Sequence, residues 1–370
     1  MKKLIALLLV LAMAIGLIAC GNTDSAADTT AAPAADTTAA PAADDAADTT
    51  AAPADEAEAL TFAIVPKQAG NEYHEVIADG FIAACEAMGI NYVVQYPEDT
   101  SAEAQITVIN NLIAQGVNGI AIGANDPEAL EGTIKTAKDQ GISVCTFDSD
   151  TKGSQVFVNQ ASNEAVAEVL VESVYDMTDG EGQFAVLSAT STASNQNAWI
   201  AAMEALIASD DKYSGLEWVA TVYGDDEDQK SYDETESLMT NYPDLEVICS
   251  PTCVGHLAAI KAVQNAGSDI LVCGLGMPSW CLGYIGEGTP CEYMYLWNPV
   301  QIGETTVYTL KALCDGLFTG AEGETYTADN GAEYTVIAAA PDLGVYSTQI
   351  IVGDPFRFDG SNIEEWAAKF

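Results

Sequence analysis

LTFAIVPKQAGNEYHEVIADGFIAACEAMGINYVVQ, residues 60–95, decides the fold. Leu60 to Val65 is a short, almost unbroken apolar run, as expected of a strand buried on both faces. A polar loop follows, and then the stretch near Glu72 to Met88 with helical periodicity. Asn91 to Gln95 is β-rich again. Strand, helix and strand within some thirty-five residues describe a parallel crossover unit.

The pattern continues outward. Gly119 to Ile122 and Ile142 to Phe147 read as further strands, with helices near Ser101 to Gln115 and Pro127 to Asp139. Ser101 and Asn125-Asp126-Pro127 supply start signals for these two helices. A second series has strands at Gln183 to Leu187, Glu217 to Val222, Leu245 to Cys249, Ile270 to Cys273 and Glu292 to Leu296. Its helices lie near Asn197 to Ala208, Gln229 to Asn241, Val254 to Ala266 and Trp280 to Glu287. Two consecutive α/β series predict two doubly wound parallel-sheet lobes. We divide the chain into lobe 1 (59–160), lobe 2 (161–296) and a last segment (297–370). That segment carries hinge crossings, a helix at Gln301 to Leu317 that returns to lobe 1, and C-terminal strands.

Ahead of the lobes, Lys2 and Lys3 precede the apolar run Leu4 to Leu17, too short to span a bilayer and typical of an export signal over residues 1–19. Leu17-Ile18-Ala19-Cys20 resembles a lipobox, which makes Cys20 the expected lipidated first residue of the mature chain and a membrane anchor. Residues 20–58 are then a disordered tether. They consist almost wholly of Ala, Asp, Thr, Pro, Gly, Ser and Glu, with a near-repeat ending at Pro33, Pro41 and Pro53, and cannot form a core.

The formal charge is −43, from 12 Lys+Arg against 55 Asp+Glu, which makes nucleic acid and anionic ligands poor partners. The acidity itself reads as solubility. Eight cysteines remain after Cys20, scattered through strands and helices, and are expected as buried thiols; their spacing offers no zinc pattern. No metal and no cofactor is expected, and the chain is expected to be monomeric.

In parallel α/β sheets ligands sit beyond the carboxyl ends of the strands. The loops there hold Lys67, Asn71, Tyr73 and His74 after the first strand, Asp148 and Asp150 after the fourth, Asn195, Gln196 and Asn197 early in the second series, then Pro251 and Cys253, and finally Trp297 and Asn298. Carboxylates and amides suit hydroxyls, and indoles suit the CH-rich faces of a sugar ring. Trp199 reads as core, His256 as a helix-surface residue, and Asp225 to Asp228 as a solvated loop from which Asp228 could reach a cleft.

At these stretches the chain resembles the type I periplasmic binding proteins of sugar importers, in the branch that binds rhamnose and autoinducer-2. The resemblance is carried by Ile64 to Lys67, Phe147 to Asp150, Val158 to Gln160, Asn195 to Trp199, Tyr295 to Pro299 and Asp354 to Phe358. It implies a small polar ligand, a sugar or autoinducer-2, held between the lobes by Lys67, Asp148, Asn195, Gln196, Pro251 and Cys253, and a membrane permease as partner. Where autoinducer-2 binders commonly carry Asp and Ala, this chain has Asn195 and Cys253, which puts a deoxysugar such as rhamnose ahead. Ribose-type relatives use pocket arginines, whereas the sole arginine here is Arg357. An alternative within the binding class is a sensory lipoprotein that presents its loaded form to a receptor. An enzyme is not expected: no Walker A or complete Gly-x-Gly-x-x-Gly is present, and no nucleophile and base stand together. No catalytic residue is assigned.

Overall fold

The apolar run after Leu60 forms a strand, Thr61–Val65 (β1), and the chain turns through Pro66 to Asn71 into Glu72–Met88 (α1). Asn71 caps this helix by accepting from the His74 backbone N–H, and Gly89 ends it at φ 67°. The sequence continues through Asn91–Val94 (β2), Ala102–Gln115 (α2), Gly119–Ile122 (β3), Glu131–Asp139 (α3), Ser143–Phe147 (β4) and Val156–Asn159 (β5). Next come Asn163–Met177 (α4), Gly182–Ser188 (β6), Ser194–Ser209 (α5), Leu216–Tyr223 (β7), Asp228–Asn241 (α6), Leu245–Ser250 (β8), Cys253–Ala266 (α7) and Leu271–Gly274 (β9). The last part holds Pro278–Cys281 (α8), Tyr293–Leu296 (β10), Pro299–Cys314 (α9), Thr325–Thr327 (β11), Glu333–Thr335 (β12), Gln349–Ile351 (β13), Phe356–Asp359 (β14) and Ile363–Ala367 (α10). This is a computed structural model and describes residues 59–370. The export signal, Cys20 and the tether lie outside the described residues.

Two parallel sheets result, in the order β13-β5-β4-β3-β1-β2 and β7-β6-β8-β9. The architecture is the two-lobed, doubly wound fold. One face of the first sheet is closed by Ile109 and Leu112 from α2, Ile134 from α3 and Leu130 at the start of α3. The other is closed by α1 and α9, joined in one continuous core with the second sheet. The chain passes between the sheets three times: after Asn159, after Leu296 and after Ile351. The first and third passages are bonded to each other, Val352 N–H donating to Asn159 O at 2.9 Å and Gly353 N–H to Gln160 O at 3.2 Å.

α1, which carries two site residues, is held by backbone contact with α9. An added Cβ at Gly303 would lie 2.0 Å from the Ile77 carbonyl oxygen, and one at Gly80 would lie 2.2 Å from that of Val300. Only glycine lets the two helices approach so closely.

Several elements differ from the sequence reading. Strand β5 and helix α4 are additional to the elements expected from the sequence. The helix expected over Trp280 to Glu287 is the single turn α8, because Gly283 and Gly286 take positive φ and break it. The strand at 292–296 does not extend the second sheet. It pairs antiparallel with β14 and touches the sheet by one bridge, Leu275 to Tyr295. His256 is no surface residue: it is wholly buried on α7, against the Cys291 thiol. The cysteines of the described residues are all free, and only Cys253 and Cys314 are partly exposed.

Candidate functional site

The carboxyl ends of both sheets face a cleft of about 510 Å³, counted to its mouth, within the range of small-molecule sites. Lys67, Asn71, Tyr73 and Asp148 line it from the loops and helix of the first sheet. Asn195, Gln196, Pro251 and Cys253 line it from the second, and Trp297 from a crossing.

Asp148 follows β4 directly in the left-handed region, at φ 59°, where Asp is tolerated better than most side chains. It is 3 % exposed. Lys67 Nζ lies 2.7 Å from its Oδ2 and donates to Ser149 Oγ at 2.5 Å, while His74 Nε2 stands 3.7 Å from the same carboxylate oxygen. Burial pushes the Asp148 carboxyl up, but the Lys67 charge and the His74 contact outweigh it and hold the group well below the usual carboxylate range. The site therefore keeps a fixed anion bonded to a fixed cation. Tyr73 joins them by accepting from Trp297 Nε1 at 2.7 Å and donating to Asp148 Oδ1 at 3.4 Å. Burial and then the nearby Asp148 raise the Tyr73 hydroxyl pKa, so it stays a donor.

On the opposite wall Gln196 is fixed at the start of α5, its Oε1 accepting from Ser188 Oγ at 2.8 Å and from Ala189 N–H at 2.7 Å. Its amide nitrogen is left for the cleft. Trp199 is read as core from sequence and is buried, yet it also lines the cavity, its ring 5.5 Å from that of Trp297 and tilted by 58°. Cys253 begins α7, and burial drives its thiol well above the usual value, so it is a small polar contact and no nucleophile.

Three expected residues stand outside this cavity, each with its side chain bonded to backbone groups elsewhere. The Asp150 carboxylate accepts from the Tyr346 and Ser347 backbone N–H groups and from Thr146, pinning the segment before β13. Asn197 donates to the Ser191 carbonyl in the loop before α5. Asn298 caps α9 through the Val300 N–H. His74, named among the loop residues, also lines the cavity, and Asp226, Thr252 and Trp280 line it without having been assigned to it. Asp228, which the sequence left able to reach a cleft, starts α6 instead and faces Lys261 at 3.6 Å. The rule of inspecting loops after strands, applied to β7 as well, would have found Asp226.

A periplasmic binding protein domain matches residues 62–317. The solved ABC transporter solute-binding protein of Clostridium phytofermentas, with bound L-rhamnose, is 44% identical, covering 84% of this chain and 99% of its own, with a TM-score of 0.79. The LsrB protein of Clostridium saccharobutylicum in complex with AI-2 shares the fold, at 22% identity over 83% of this chain and 99% of its own and a TM-score of 0.74. The ribose import binding protein RbsB of Escherichia coli (strain K12) is 24% identical over 219 residues, 58% of this chain and 71% of its own. With binding proteins rather than enzymes as its relatives and two parallel-sheet lobes around a cleft without an activated nucleophile, this chain belongs to the periplasmic binding protein family.

Proposed function

We propose that this chain is the extracytoplasmic solute-binding component of an ABC importer, and that it takes L-rhamnose or a closely similar deoxysugar between its lobes and passes it to a membrane permease. In this reading Cys20 carries the lipid anchor and residues 20–58 are the tether. The lobes divide near residues 160 and 296, and the protein works as a monomer. The observation that carries the ligand class is the cleft itself: the buried Asp148 carboxylate held by Lys67, facing the Gln196 amide, beside the Trp199 and Trp297 rings. A fixed carboxylate accepts vicinal hydroxyls and an indole covers a sugar's apolar face. Asn71, Tyr73, Asn195, Pro251 and Cys253 complete the contacts.

The 44% identical protein with bound L-rhamnose supports this sugar. Asn195 and Cys253, where autoinducer-2 binders commonly carry Asp and Ala, weigh against that signal. Ribose is disfavoured because Arg357 is engaged elsewhere, stacked 3.7 Å over the Tyr293 ring and 3.4 Å from Asp359. Thermal unfolding of residues 59–370 with L-rhamnose, D-ribose, D-allose and autoinducer-2 tests the assignment. Ligand at a hundred times its Kd adds about 2.7 kcal/mol, a clear rise in midpoint. L-rhamnose should give the largest rise; no rise with any of these ligands would overturn the proposal.

A further inference from the structure

We propose that Asp226, in the turn between β7 and α6, is the cleft's second ligand carboxylate and its charge filter: it accepts a hydroxyl of an uncharged sugar and bars sugar acids and sugar phosphates. The inference rests on the sugar-binding reading above and adds the residue that sets its selectivity.

Asp226 lines the cleft together with Lys67, His74 and Gln196, and these same four residues also line an adjoining cavity of about 710 Å³. They form the throat between the two spaces. The adjoining walls are polar, with Gln68, Asn125, Ser149 and Thr190 among them. Thr252 Oγ1 donates to Asp226 Oδ1 at 2.6 Å, which ties the turn to the loop that presents Pro251 and Cys253. The other oxygen, Oδ2, makes no hydrogen bond among the described residues.

The cations that could neutralise Asp226 are already taken. Lys67 is bonded to Asp148, and Lys230 to the neighbouring Asp225. Asp226 is thus a carboxylate without an ion-pair partner among the described residues, at the constriction where the two cavities adjoin. There its field acts at lower effective dielectric than in open water. A hydroxyl gains a charge-assisted bond from it, whereas a ligand carboxylate or phosphate meets a like charge, a repulsive element of the kind that sets specificity.

The backbone is consistent with a placed side chain. Asp225 and Asp226 are consecutive left-handed residues, at φ 54° and 56°. L-residues adopt that conformation at a cost, and it is sustained here by Gly224 N–H donating to Ser188 O and Asp225 N–H donating to Ala189 O.

The test is calorimetric titration of residues 59–370 with L-rhamnose and with L-rhamnonate, for the wild type, Asp226→Asn and Asp226→Gly. Both substitutes tolerate the left-handed backbone, so folding, followed by the unfolding midpoint, is preserved. The wild type should prefer the neutral sugar. Asp226→Asn should weaken L-rhamnose about ten-fold and narrow the ratio of the two dissociation constants by about ten-fold or more. Asp226→Gly should narrow the ratio similarly. Rhamnose binding with a ratio unchanged in both variants, or a wild type that takes the acid as tightly as the sugar, would overturn the Asp226 assignment alone. A wild type that binds neither, while remaining folded, would overturn the sugar reading and this inference together.

Discussion

Replacing Asp148 by Asn removes one charge and almost nothing else. The amide is nearly isosteric, and Asn tolerates the φ of 59° at this position, so backbone strain does not enter. Two separate losses follow. A ligand hydroxyl that bonds the carboxylate keeps only a neutral bond, a loss of about 1.5 kcal/mol, or roughly ten-fold in dissociation constant, and up to a hundred-fold where two hydroxyls are involved. The Lys67 ammonium, 2.7 Å from Oδ2, also loses its partner. Breaking a fully buried pair costs about 3–5 kcal/mol. The Lys67 side chain is 20 % exposed and can turn toward water, so we expect about 1–3 kcal/mol from the ligand-free protein. A stability effect in the unliganded state is therefore part of the prediction.

The pH dependence has a definite sign. The folded Asp148 carboxyl is depressed, so below about pH 4 the unfolded chain takes up this proton first and wild-type stability falls with acidification. That contribution is whole above pH 4 and absent in Asp148→Asn. Urea unfolding at pH 7 and pH 3.5, with calorimetry using L-rhamnose, measures both losses. Adding Lys67→Met to Asp148→Asn should restore stability without restoring affinity, which separates the ion pair from the ligand contact. Unchanged affinity and unchanged stability in Asp148→Asn would refute the reasoning.

Gly303→Ala should lower stability by about 2–3 kcal/mol in urea unfolding, and weaken L-rhamnose through displaced Tyr73 and His74, because its Cβ would enter the Ile77 carbonyl. A near-neutral result would show that α9 can slide. His256 is buried and its pKa is pushed down to about 4 by desolvation, so the unfolded chain binds the extra proton between about pH 6.5 and 4. Stability should fall on the order of 3 kcal/mol as pH drops through that window, and His256→Gln should lack that limb of the curve. Cys20→Ala should move the full-length protein from the membrane fraction to the soluble one or leave the signal uncleaved, as cell fractionation and intact-mass measurement would show.

How much of this was legible in the sequence follows from where the physics is local. β1, β3 and β4 are apolar runs buried in a parallel sheet, and such runs announce themselves. β5 is four residues long, so its Val156-Phe157-Val158 run is a weak signal, and half of its pairing comes from β13, almost two hundred residues away. α4 did carry a signal, Ser162 as cap and apolar side chains at Val166, Leu170 and Val174, which the reading passed over. In the site, loops after strands located Lys67, Asp148, Gln196 and Cys253 in one cavity because parallel strands share a direction. The same rule also offered Asp150, Asn197 and Asn298, whose side chains serve backbone groups. That distinction depends on which N–H or carbonyl groups fold within reach. Asp226 was hidden by its company, since a run of acids reads as surface.

The three passages between the lobes impose an order on folding. The first sheet obtains its edge strand β13 only from residues 349–351, and α9, one of the two helices that cover one of its faces, only from residues 299–314. The leading lobe is thus the later one to be finished. Residues 59–159 leave the sheet face that α1 shares with α9 only partly covered until most of the chain has been made, so their packing cannot be completed before then. Closing loops that reach back across some two hundred residues makes its completion slow. The long return that builds the hinge is then also a built-in postponement, withholding a working cleft until the last strands are in place.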